Sequence, residues 1–531
     1  MNIAALIQER ARLHPEKRAV VLAVEGAKSY RYPFYTFAQF EDRSQRMAAR
    51  LARAGAAPGD RVLVFVTPCL DFSVIVFALF KLGAVPVLID PGMGVKNLLR
   101  AVKEVRPQGL VGVARAHVLR FLAFPAFASL RWRFGVGPGP AKDLLKNLDR
   151  WPSDLSLYPA QDQDLAAILF TSGGTGKPKG VMTTHGILRA QTKMLQEMFE
   201  LTEQDVDLPG FPLFALFTLA MGMTSVIPVM DPTRPAQCDP QKLVRTLIDQ
   251  KITFAAGSPA IWRRVVDYCL SQKITLPQLR HVVMFGAPVR LELHEKWAQV
   301  LPNGDTSTPY GATECLPVCC SQGRVLWQDT REQSLAGQGI CIGKATPGNE
   351  VFIVEESAEA LSALLPLAAN TVGEICVRGP TVTPGYFADL HATALAKIQT
   401  PLGLVHRMGD VGRIDAEGRV WFYGRKAHVV RAQGEVFYPI PCEAVFNQHA
   451  AVERSALVDL GGAPGVVLEL RPGQTIRPEQ LFADCRSLAK TRPHTAKIDR
   501  FFVRSSFPVD VRHNIKIDRK ALGLWAREQK A

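Results

Sequence analysis

The ten residues from Thr171 to Gly180 have the composition of a loop that binds phosphate groups. Four of them are glycines, which let the backbone turn sharply and direct N–H groups at an anion. Lysine and hydroxyl side chains between the glycines add positive charge and further donors, so the loop predicts a triphosphate ligand. The residues expected to contact it are Thr171, Ser172, Gly173, Gly174, Thr175, Gly176, Lys177 and Lys179.

This loop differs from two familiar phosphate-binding motifs. A Walker A loop continues from its lysine to Ser or Thr, whereas Lys177 is followed by Pro178. The spacing of the glycines does not fit the dinucleotide fingerprint G-x-G-x-x-G either. A flexible linker is the other interpretation of such a composition. We favour a phosphate loop because the apolar run Ala166–Phe170 predicts a strand that leads directly into it.

Further motifs along the chain carry residue types suited to a nucleotide. Each is weak by itself, since a lone Asp often sits in a turn and a lone lysine is often a solvated surface charge. Their number and order make them informative together. They are Gly286-Ala287-Pro288, Tyr310-Gly311-Ala312-Thr313-Glu314, Met408-Gly409-Asp410, Gly424-Arg425 and His513-Asn514-Ile515-Lys516-Ile517-Asp518-Arg519.

With the glycine-rich loop, these motifs resemble those of the acyl-adenylate-forming superfamily. That superfamily contains acyl- and aryl-CoA synthetases, firefly luciferase and the adenylation domains of peptide synthetases. The resemblance covers nearly the whole chain and implies an enzyme that uses ATP and Mg²⁺ to convert a carboxylic acid into an acyl-AMP. It also implies a large N-terminal body, a small mobile C-terminal domain and an active site in the cleft between them.

The resemblance assigns roles to individual residues. Tyr310 is expected to stack on adenine beside the segment Gly286, Ala287 and Pro288, while Gly311 and Thr313 lie near the α-phosphate. Asp410 is expected to accept hydrogen bonds from the ribose hydroxyls, and Glu314 to hold the magnesium ion. The residues expected to act on the phosphates during catalysis are Thr175, Glu314, Arg425 and Lys516.

These residue types suit the chemistry of adenylation. A carboxylic acid with a pKa of about 4 is already ionised at neutral pH, so its attack on the α-phosphorus needs no general base. The obstacle is the repulsion between this anion and the triphosphate. Lysine, arginine, a metal ion and loop N–H groups lower that repulsion and stabilise the charge that develops in the transition state.

The chain departs from the common acyl-CoA synthetase pattern in three places. The hinge reads Gly424-Arg425-Lys426-Ala427-His428, Pro212-Leu213-Phe214 is followed by Ala215 instead of histidine, and the terminal motif lacks its usual glycine before Lys516. In this form the motifs most resemble the OleC family of β-lactone synthetases in bacterial olefin biosynthesis. That resemblance implies a long-chain 2-alkyl-3-hydroxy acid whose hydroxyl attacks the acyl-AMP to close a β-lactone.

The resemblance also suggests where this substrate binds. The acyl pocket is expected to include Phe211, Phe214, Ala215, Phe217, Gly257 and Ser258. His428 is a speculative base for the hydroxyl proton, and a solvated hinge residue is the simpler interpretation of this histidine. The alternative functions are a long-chain acyl-CoA synthetase, an acyl-AMP ligase that loads a carrier protein, and a non-catalytic nucleotide-binding protein.

The elements that must position these residues are expected to form an α/β fold. Apolar runs of strand length alternate with amphipathic segments over the first four hundred or so residues, which favours parallel sheets with helices on their faces. We place the boundary of a smaller α+β domain after Gly424, which gives domains of residues 1–424 and 425–531 with a hinge near 425–428. The predicted strands are Val62–Val66, Val85–Ile89, Ala166–Phe170, Val282–Phe285 and Glu374–Val377, and the predicted helices are Gln39–Ala54, Asp71–Leu82, Gly186–Phe199 and Gln241–Lys251.

Composition narrows the class of protein. The chain has 531 residues and a formal charge of +14, which suits an anionic partner, but no nucleic-acid module accompanies this charge. Its ten cysteines lack the paired spacing of a metal site, and no signal peptide is recognisable at the start, so we expect a cytoplasmic protein.

Two apolar segments need separate interpretation. Residues 208–230 contain no charged residue but several prolines and glycines, which predicts a buried strand–loop–helix segment instead of a membrane span. The segment His117–Trp132 is compatible with contact to a membrane surface or a partner, but packing on the body as an insertion is the simpler expectation. If the olefin-pathway resemblance holds, the pathway's β-lactone decarboxylase and dehydrogenase are expected partners.

Overall fold

The computed structural model of the protein describes residues 1–26, 29–171, 177–432, 434–509 and 517–529. Several residues with predicted roles lie outside these ranges, namely Ser172, Gly173, Gly174, Thr175, Gly176 and Lys516. The helices are α1 Ala4–Leu13, α2 Phe37–Arg53, α3 Leu70–Leu82, α4 Val95–Val105, α5 Ala114–Leu122, α6 His185–Met198, α7 Ala215–Met221, α8 Pro240–Asp249, α9 Pro259–Gln272, α10 Leu291–Ala298, α11 Arg331–Leu335, α12 Leu390–Ala396, α13 Pro439–Phe446, α14 Pro478–Ala489 and α15 Arg519–Glu528.

The strands alternate with these helices through most of the chain. They are β1 Arg18–Leu22, β2 Val24–Glu25, β3 Tyr30–Arg31, β4 Phe34–Thr36, β5 Arg61–Phe65, β6 Val85–Ile89, β7 Gly109–Gly112, β8 Trp132–Gly135, β9 Leu165–Thr171, β10 Lys179–Thr184, β11 Val206–Pro209, β12 Thr224–Ile227, β13 Phe254–Gly257, β14 His281–Met284, β15 Asp305–Ala312, β16 Cys315–Gln322, β17 Ile340–Ala345, β18 Glu350–Val354, β19 Gly373–Arg378, β20 Lys397–Thr400, β21 Gly403–Ile414, β22 Val420–Arg425, β23 Val430–Ala432, β24 Glu435–Phe437, β25 Val452–Asp459, β26 Pro464–Leu470 and β27 Phe501–Val503. The predicted α/β class is confirmed.

Two sheets build the body. A six-stranded sheet has the order β10-β9-β6-β5-β7-β8 and is parallel except for the antiparallel pair β9–β10. A larger sheet of 14 strands runs β18-β19-β21-β22-β17-β16-β15-β14-β13-β11-β12-β1-β4, with β20 paired to β21. In this sheet the neighbouring strands β15, β14, β13, β11, β12 and β1 are parallel, and β4 pairs antiparallel with β1. The neighbours β15, β16, β17, β22, β21 and β19 form antiparallel pairs. The way in which the two sheets pack together therefore determines which of the loops that follow their strands lie close to one another.

Helix α3 joins the cores of the two sheets. Nearly every residue from Asp71 to Leu82 is buried, and the helix packs in one apolar cluster with residues of β1 and β5. A helix that is hydrophobic around its whole circumference must be buried on all sides. The neighbouring helix α2 begins at Phe37, two residues before the predicted start, because Thr36 and Gln39 cap it reciprocally at 3.2 and 2.9 Å.

The uncharged segment 208–230 is buried, as its prolines and glycines predicted. It contributes the end of β11, helix α7 and strand β12, and Gly222 ends α7 with a left-handed backbone (φ +91°). Within the described part of the chain, no helix is both long and apolar enough to cross a membrane. The segment 117–132 forms the end of α5 and the approach to β8, so it completes one edge of the six-stranded sheet.

The residues after Arg425 have apolar clusters of their own. One cluster joins β23, α13, β25, β26 and α14, and a second packs β25–β27 against α15. Strands β25, β26 and β27 form a separate three-stranded sheet, which agrees with the expected small α+β unit at this end of the chain. The ten cysteines all lie in described residues and none forms a disulfide. Eight of them are buried, and burial is the main cause that raises the pKa of all ten thiols.

One buried carboxyl in the large sheet predicts a pH dependence of stability. Asp207 on β11 is fully buried and accepts hydrogen bonds from Thr218 at 2.7 Å and Ser225 at 3.2 Å. Burial raises its pKa from 3.8 to about 7, so the unfolded chain releases this proton at lower pH than the folded protein does. Its contribution to stability is therefore greatest below about pH 4 and is lost as the pH rises towards 7.

We predict that Asp207→Asn stabilises the protein, and more so at high pH. The gain over the wild type should grow by about 2–3 kcal/mol between pH 5 and pH 8, because the variant has no proton to lose. Thermal unfolding of both proteins at the two pH values measures this difference. Asp154→Asn, at an exposed position, is the control and should show no such trend. An equal effect of Asp207→Asn at both pH values would contradict the assignment.

Candidate active site

Most of the predicted site residues that the structure describes line one continuous cleft of about 3520 Å³. It is bounded by the loops after the parallel strands, by strands β15 and β21, and by residues of the C-terminal unit. The predicted residues on its surface are Lys177, Lys179, Phe211, Phe214, Phe217, Gly286, Ala287, Pro288, Tyr310, Gly311, Thr313, Glu314, Asp410, Arg425 and His428. Motifs far apart in the sequence thus meet in one place.

Three residues expected in the acyl pocket are not on the surface of this cleft. Ala215 is buried in the core around α3, and Gly257 lies at the end of β13 in contact with Ile261. Ser258 caps helix α9, since its hydroxyl accepts a hydrogen bond from the N–H of Ala260 at 3.3 Å. Their surroundings give them a packing role in the walls behind the pocket.

The centre of the cleft is a buried carboxylate, Asp410 on β21. Its Oδ2 accepts a hydrogen bond from the hydroxyl of Tyr310 at 2.5 Å, and its Oδ1 lies 3.1 Å from Nε of Arg425. Register places these groups together, because Asp410 and Arg425 face each other across the antiparallel pair β21–β22. Arg425 also donates to the carbonyl oxygen of Met408 at 3.3 Å, which fixes the guanidinium over this pair of strands.

The environment of Asp410 leaves it able to accept further hydrogen bonds. Burial raises its pKa, while the ion pair with Arg425 and the hydrogen bond from Tyr310 lower it. Its Oδ1 is buried and accepts no hydrogen bond among the described residues, although Arg425 neutralises its charge. A buried oxygen in this condition is costly unless a ligand supplies a donor, and ribose hydroxyls are suitable donors.

Glu314 lies in the tight turn between β15 and β16 and is oriented by the segment 381–386. Its Oε1 accepts a hydrogen bond from the hydroxyl of Tyr386 at 2.7 Å. Thr383 donates to the backbone carbonyl oxygen of Glu314 from both its N–H, at 3.0 Å, and its hydroxyl, at 2.9 Å. The backbone and one carboxylate oxygen are thus fixed, while the side chain is only partly buried and faces the cleft.

Tyr386 also connects Glu314 to the phosphate loop. Its main chain pairs with Val181 on β10, and Nζ of Lys179 lies 4.7 Å from the centre of its ring. A cation over an aromatic face is held electrostatically without a hydrogen bond, which leaves the ammonium donors available. Lys177 lies instead 3.4 Å from Asp389 and 3.8 Å from Glu104, so in this structure its charge is paired with carboxylates.

An aromatic cluster forms the apolar end of the cleft. Phe214 stacks on Phe285 with ring centres 5.4 Å apart and meets Phe217 edge to face at 5.8 Å. Phe285 is followed by Gly286, whose left-handed backbone (φ +88°) favours glycine and turns the chain across the cleft. The predicted adenine-binding segment and the predicted acyl pocket therefore share a wall.

The chain leaves the body through a buried ionic cluster centred on Glu374. Its Oε2 accepts hydrogen bonds from Arg407 at 2.7 Å and Lys426 at 2.8 Å, and both Glu374 and Arg407 are almost fully buried. Lys426 also donates to the carbonyl oxygen of Ser357 at 2.9 Å. Gly424 is required beside this cluster, because a Cβ at its position (φ +127°) would lie 2.7 Å from Cγ of Pro439.

His428 lies two residues beyond this anchor, at the border with the C-terminal unit. Burial and the nearby guanidinium groups of Arg519 and Arg425 lower its pKa to about 4, so its imidazole is neutral at physiological pH. Arg519 is itself held by Glu443, which accepts two hydrogen bonds from it at 2.6 and 2.7 Å. A neutral imidazole on the cleft surface can accept a proton, but the lowered pKa makes it a weaker base than an ordinary histidine.

The sequence analysis gave no site role to Tyr386, Thr383 or Glu374, and it named Lys426 only as part of the hinge motif. Tyr386 and Glu314 are 72 positions apart, and Glu374 and Lys426 are 52 apart, so no local spacing reveals either contact. The only signal was the segment Gly379-Pro380-Thr381-Val382-Thr383-Pro384-Gly385-Tyr386, whose glycines and prolines mark a fixed loop without indicating what it supports.

These residues fit a nucleotide together with a magnesium ion. Among the described residues, no group of three or more His, Cys, Asp or Glu could hold a metal ion by itself. Mg²⁺ is commonly held by one or two carboxylates together with substrate phosphates, and Glu314 supplies one carboxylate on the cleft surface. The basic side chains of Lys179 and Arg425 border the same space.

Comparison with known proteins agrees with this arrangement. A family model described as "AMP-binding enzyme" matches residues 7–387. The chain is 40% identical to an olefin β-lactone synthetase of Xanthomonas campestris pv. campestris, with 100% of this chain and 98% of that protein aligned, and 41% identical to one of Stenotrophomonas maltophilia, at 99% and 98%. The fold matches the crystal structure of ATP-bound MatB from Rhodopseudomonas palustris with a TM-score of 0.80 over 99% of both chains, at 21% identity.

The contact between Tyr386 and Glu314 gives a prediction about the metal requirement. Tyr386→Phe removes a hydrogen bond to a charged acceptor, which typically contributes about 1.5–3 kcal/mol. We expect the Mg²⁺ concentration for half-maximal, acid-dependent exchange of pyrophosphate into ATP to rise about tenfold or more. Titration of Mg²⁺ at saturating ATP measures this shift.

Tyr32→Phe is the matched control for this prediction. Tyr32 also donates a hydrogen bond to a carboxylate, Asp249, at 2.9 Å, but neither residue lines the cleft. The control should leave the Mg²⁺ dependence unchanged. If both variants, or neither, changed the titration, Tyr386 would have no specific role in orienting Glu314.

Proposed function

The chain belongs to the AMP-binding enzyme family and is an ATP-dependent, AMP-forming ligase, and from that premise we propose that it is a β-lactone synthetase of long-chain olefin biosynthesis. Its proposed substrate is a long-chain 2-alkyl-3-hydroxy acid, which it activates as an acyl-AMP and then closes to a β-lactone. The observation that carries this proposal is the full-length similarity of 40% and 41% to two olefin β-lactone synthetases.

In the proposed first step the substrate carboxylate attacks the α-phosphorus of ATP. A bond forms between the carboxylate oxygen and phosphorus, and the bond to the pyrophosphate oxygen breaks. Asp410 would hold the ribose through Oδ1, the oxygen that is paired with Arg425 but accepts no hydrogen bond among the described residues, while Tyr310 holds Oδ2. Lys179 of the loop and Lys516 of the terminal motif would lower the repulsion between the two anions.

We assign magnesium to Glu314. A magnesium ion bound there together with the phosphates would neutralise charge on the pyrophosphate leaving group. Tyr386 and Thr383 would keep the carboxylate aimed into the cleft, so that little reorganisation is needed when ATP arrives. Loss of one preorganised charge-stabilising group typically costs about 3 kcal/mol of transition-state stabilisation.

In the proposed second step the 3-hydroxyl oxygen attacks the acyl carbon of the same molecule. A carbon–oxygen bond closes the four-membered ring, AMP leaves, and the hydroxyl proton passes to a base. We propose the neutral imidazole of His428 as that base. An intramolecular nucleophile has a high effective concentration, which opposes the strain of the ring.

The apolar end of the cleft suits the alkyl chains of this substrate. Phe211, Phe214 and Phe217 line it together with Leu213 and Leu216, so long hydrocarbon chains could be buried there. The same apolar walls would exclude water from the acyl-AMP, which would otherwise hydrolyse to the starting acid.

We propose that the domain boundary lies after Gly424 with the hinge near 425–428, and that the rotation occurs at Ala427 and His428 within it. Lys426 is tied to Glu374 in the body, whereas His428 lies beside Arg519 of the C-terminal unit, so a rotation would need to occur between them. We further propose that the enzyme works in the cytoplasm. It would form one assembly with two other enzymes of the olefin pathway, a dehydrogenase that acts before it and a decarboxylase that receives its lactone.

Product analysis tests the proposed function. Incubation with ATP, Mg²⁺ and a 2-alkyl-3-hydroxy fatty acid, without CoA or another thiol, should give AMP and a product at the mass of the acid minus water. NMR can then verify the lactone ring of that product. Lys516→Ala should lose activity by about a hundredfold or more while remaining folded. An acyl-CoA formed only when CoA is added would replace the proposal with an acyl-CoA synthetase.

A variant of His428 separates the two steps. His428→Gln should leave acid-dependent exchange of pyrophosphate into ATP within about twofold, while lactone formation falls by about 10²–10⁴, the usual contribution of a general base. His449→Gln, at a histidine paired with Asp484 and not on the cleft surface, is the matched control. An equal fall in both reactions would assign His428 to the hinge and not to proton transfer.

A further inference from the structure

One surface of the six-stranded sheet exposes large apolar side chains. Helix α5 presents Val118, Phe121 and Leu122 to solvent, and Phe124 continues the same surface beyond its end. Phe121 is 77% exposed and Leu122 is 76% exposed. We call these four residues the apolar tip. Large side chains at such exposure are costly in water and are a common feature of interaction surfaces.

The tip is held rigidly from its opposite side. Ala116 and His117 are buried, and Nε2 of His117 lies 3.0 Å from the carbonyl oxygen of Phe134 on β8. Leu119 and Phe127 pack against α4 in the core of the six-stranded sheet. The exposed face is therefore a fixed feature of the fold. The segment that carries it has apolar side chains packed inside the protein and other apolar side chains exposed to solvent.

The charge around the tip is strongly positive. Residues 95–135, from the start of α4 to the end of β8, contain eight Lys or Arg and a single acidic residue, Glu104, which gives half of the chain's formal charge of +14. Glu104 is partly buried and lies 3.8 Å from Lys177, whereas most of the basic residues are exposed. The exposed ones are Lys96, Arg100, Lys103, Arg106, Arg115, Arg131 and Arg133.

The same elements form part of the wall of the active-site cleft. Leu98 of α4 and Ala116 and Leu119 of α5 line the cleft that also contains Phe214 and Glu314. Helix α5 thus contributes side chains both to the wall of the cleft and to the apolar tip. A molecule that enters the cleft beside α5 would come from the surface that the tip covers.

We propose that the apolar tip and its basic surroundings dock the enzyme on the surface of a membrane that contains anionic phospholipid. Phe and Leu side chains of an amphipathic surface enter the boundary between head groups and acyl chains, and each nearby Lys or Arg is attracted by anionic head groups. A protein partner would need an acidic rim together with a pocket for two adjacent aromatic side chains. A bilayer supplies both properties at once and is also a place where long-chain acids accumulate.

Binding to lipid vesicles tests this proposal without any substrate. The full-length protein should sediment with vesicles of phosphatidylcholine and phosphatidylglycerol, and much less with phosphatidylcholine alone. Binding should weaken at least tenfold in 0.5 M salt, since the Debye length falls to about 4 Å at that ionic strength. Phe121→Ser/Leu122→Ser and Arg100→Glu/Lys103→Glu should each reduce binding to the anionic vesicles at least tenfold.

Leu365→Ser/Leu402→Ser is the matched control, because these leucines are 74% and 76% exposed but lie elsewhere on the surface. The control should bind like the wild type, and all variants should keep the wild-type unfolding temperature. The proposal would be overturned if the wild type bound neither kind of vesicle, or if Phe121→Ser/Leu122→Ser bound the anionic vesicles as well as the wild type does. So would a change in oligomeric state by light scattering in that variant without any vesicle binding, since the tip would then contact protein.

Discussion

The arrangement of the cleft depends on one buried interaction, the carboxylate of Asp410 between Tyr310 and Arg425. These residues lie on β21, β15 and β22, so a single charge joins the parallel part of the large sheet to its antiparallel part. A buried carboxylate is costly unless it is paired and hydrogen-bonded, and Asp410 is both. The pairing uses one oxygen for Tyr310 and leaves the other able to accept hydrogen bonds from a ligand. The same group therefore stabilises the crossing of the strands and presents a binding site.

A second buried carboxylate, Glu374, anchors the chain where it leaves the body. Arg407 and Lys426 share its Oε2, and only one residue separates Lys426 from His428. Breaking a buried ion pair leaves an uncompensated charge and typically costs about 3–5 kcal/mol, so Lys426 should stay with the body in any rotation of the C-terminal unit. Two of the three departures from the acyl-CoA synthetase pattern, in the hinge at Ala427 and His428 and in the terminal motif, lie beyond this anchor, whereas Ala215 lies in the body. Under the proposed function, the part of the site that is fixed in the body would bind ATP, and the hinge beyond the anchor would serve the second reaction.

Much of the fold and part of the site could be predicted from the sequence. The apolar run Val85–Ile89 predicted β6 with both of its ends, and the ends of the other predicted strands and helices differ by at most two residues. Local patterns failed where contacts join distant segments. Nothing near Glu314 indicates the hydrogen bond from Tyr386, and the buried positions of Gly257 and Ser258 follow from the packing of β13 and α9. The spacing of residues in the sequence reveals motifs. The side chains that orient those motifs come from distant segments, which the order of strands in the sheet brings next to them.

The distribution of charge shows the same limit of local patterns. The formal charge of +14 predicted an anionic partner, and half of it falls within residues 95–135. The sequence does not show that the helix in the middle of this basic stretch leaves large apolar side chains exposed, which only the structure reveals. The substrate proposed above has long alkyl chains and is poorly soluble in water. An enzyme for it must either bind the few molecules that are free in solution or work at the membrane into which the rest partition. Apolar side chains of α5, both in the wall of the cleft and on the outer surface, are consistent with the second solution.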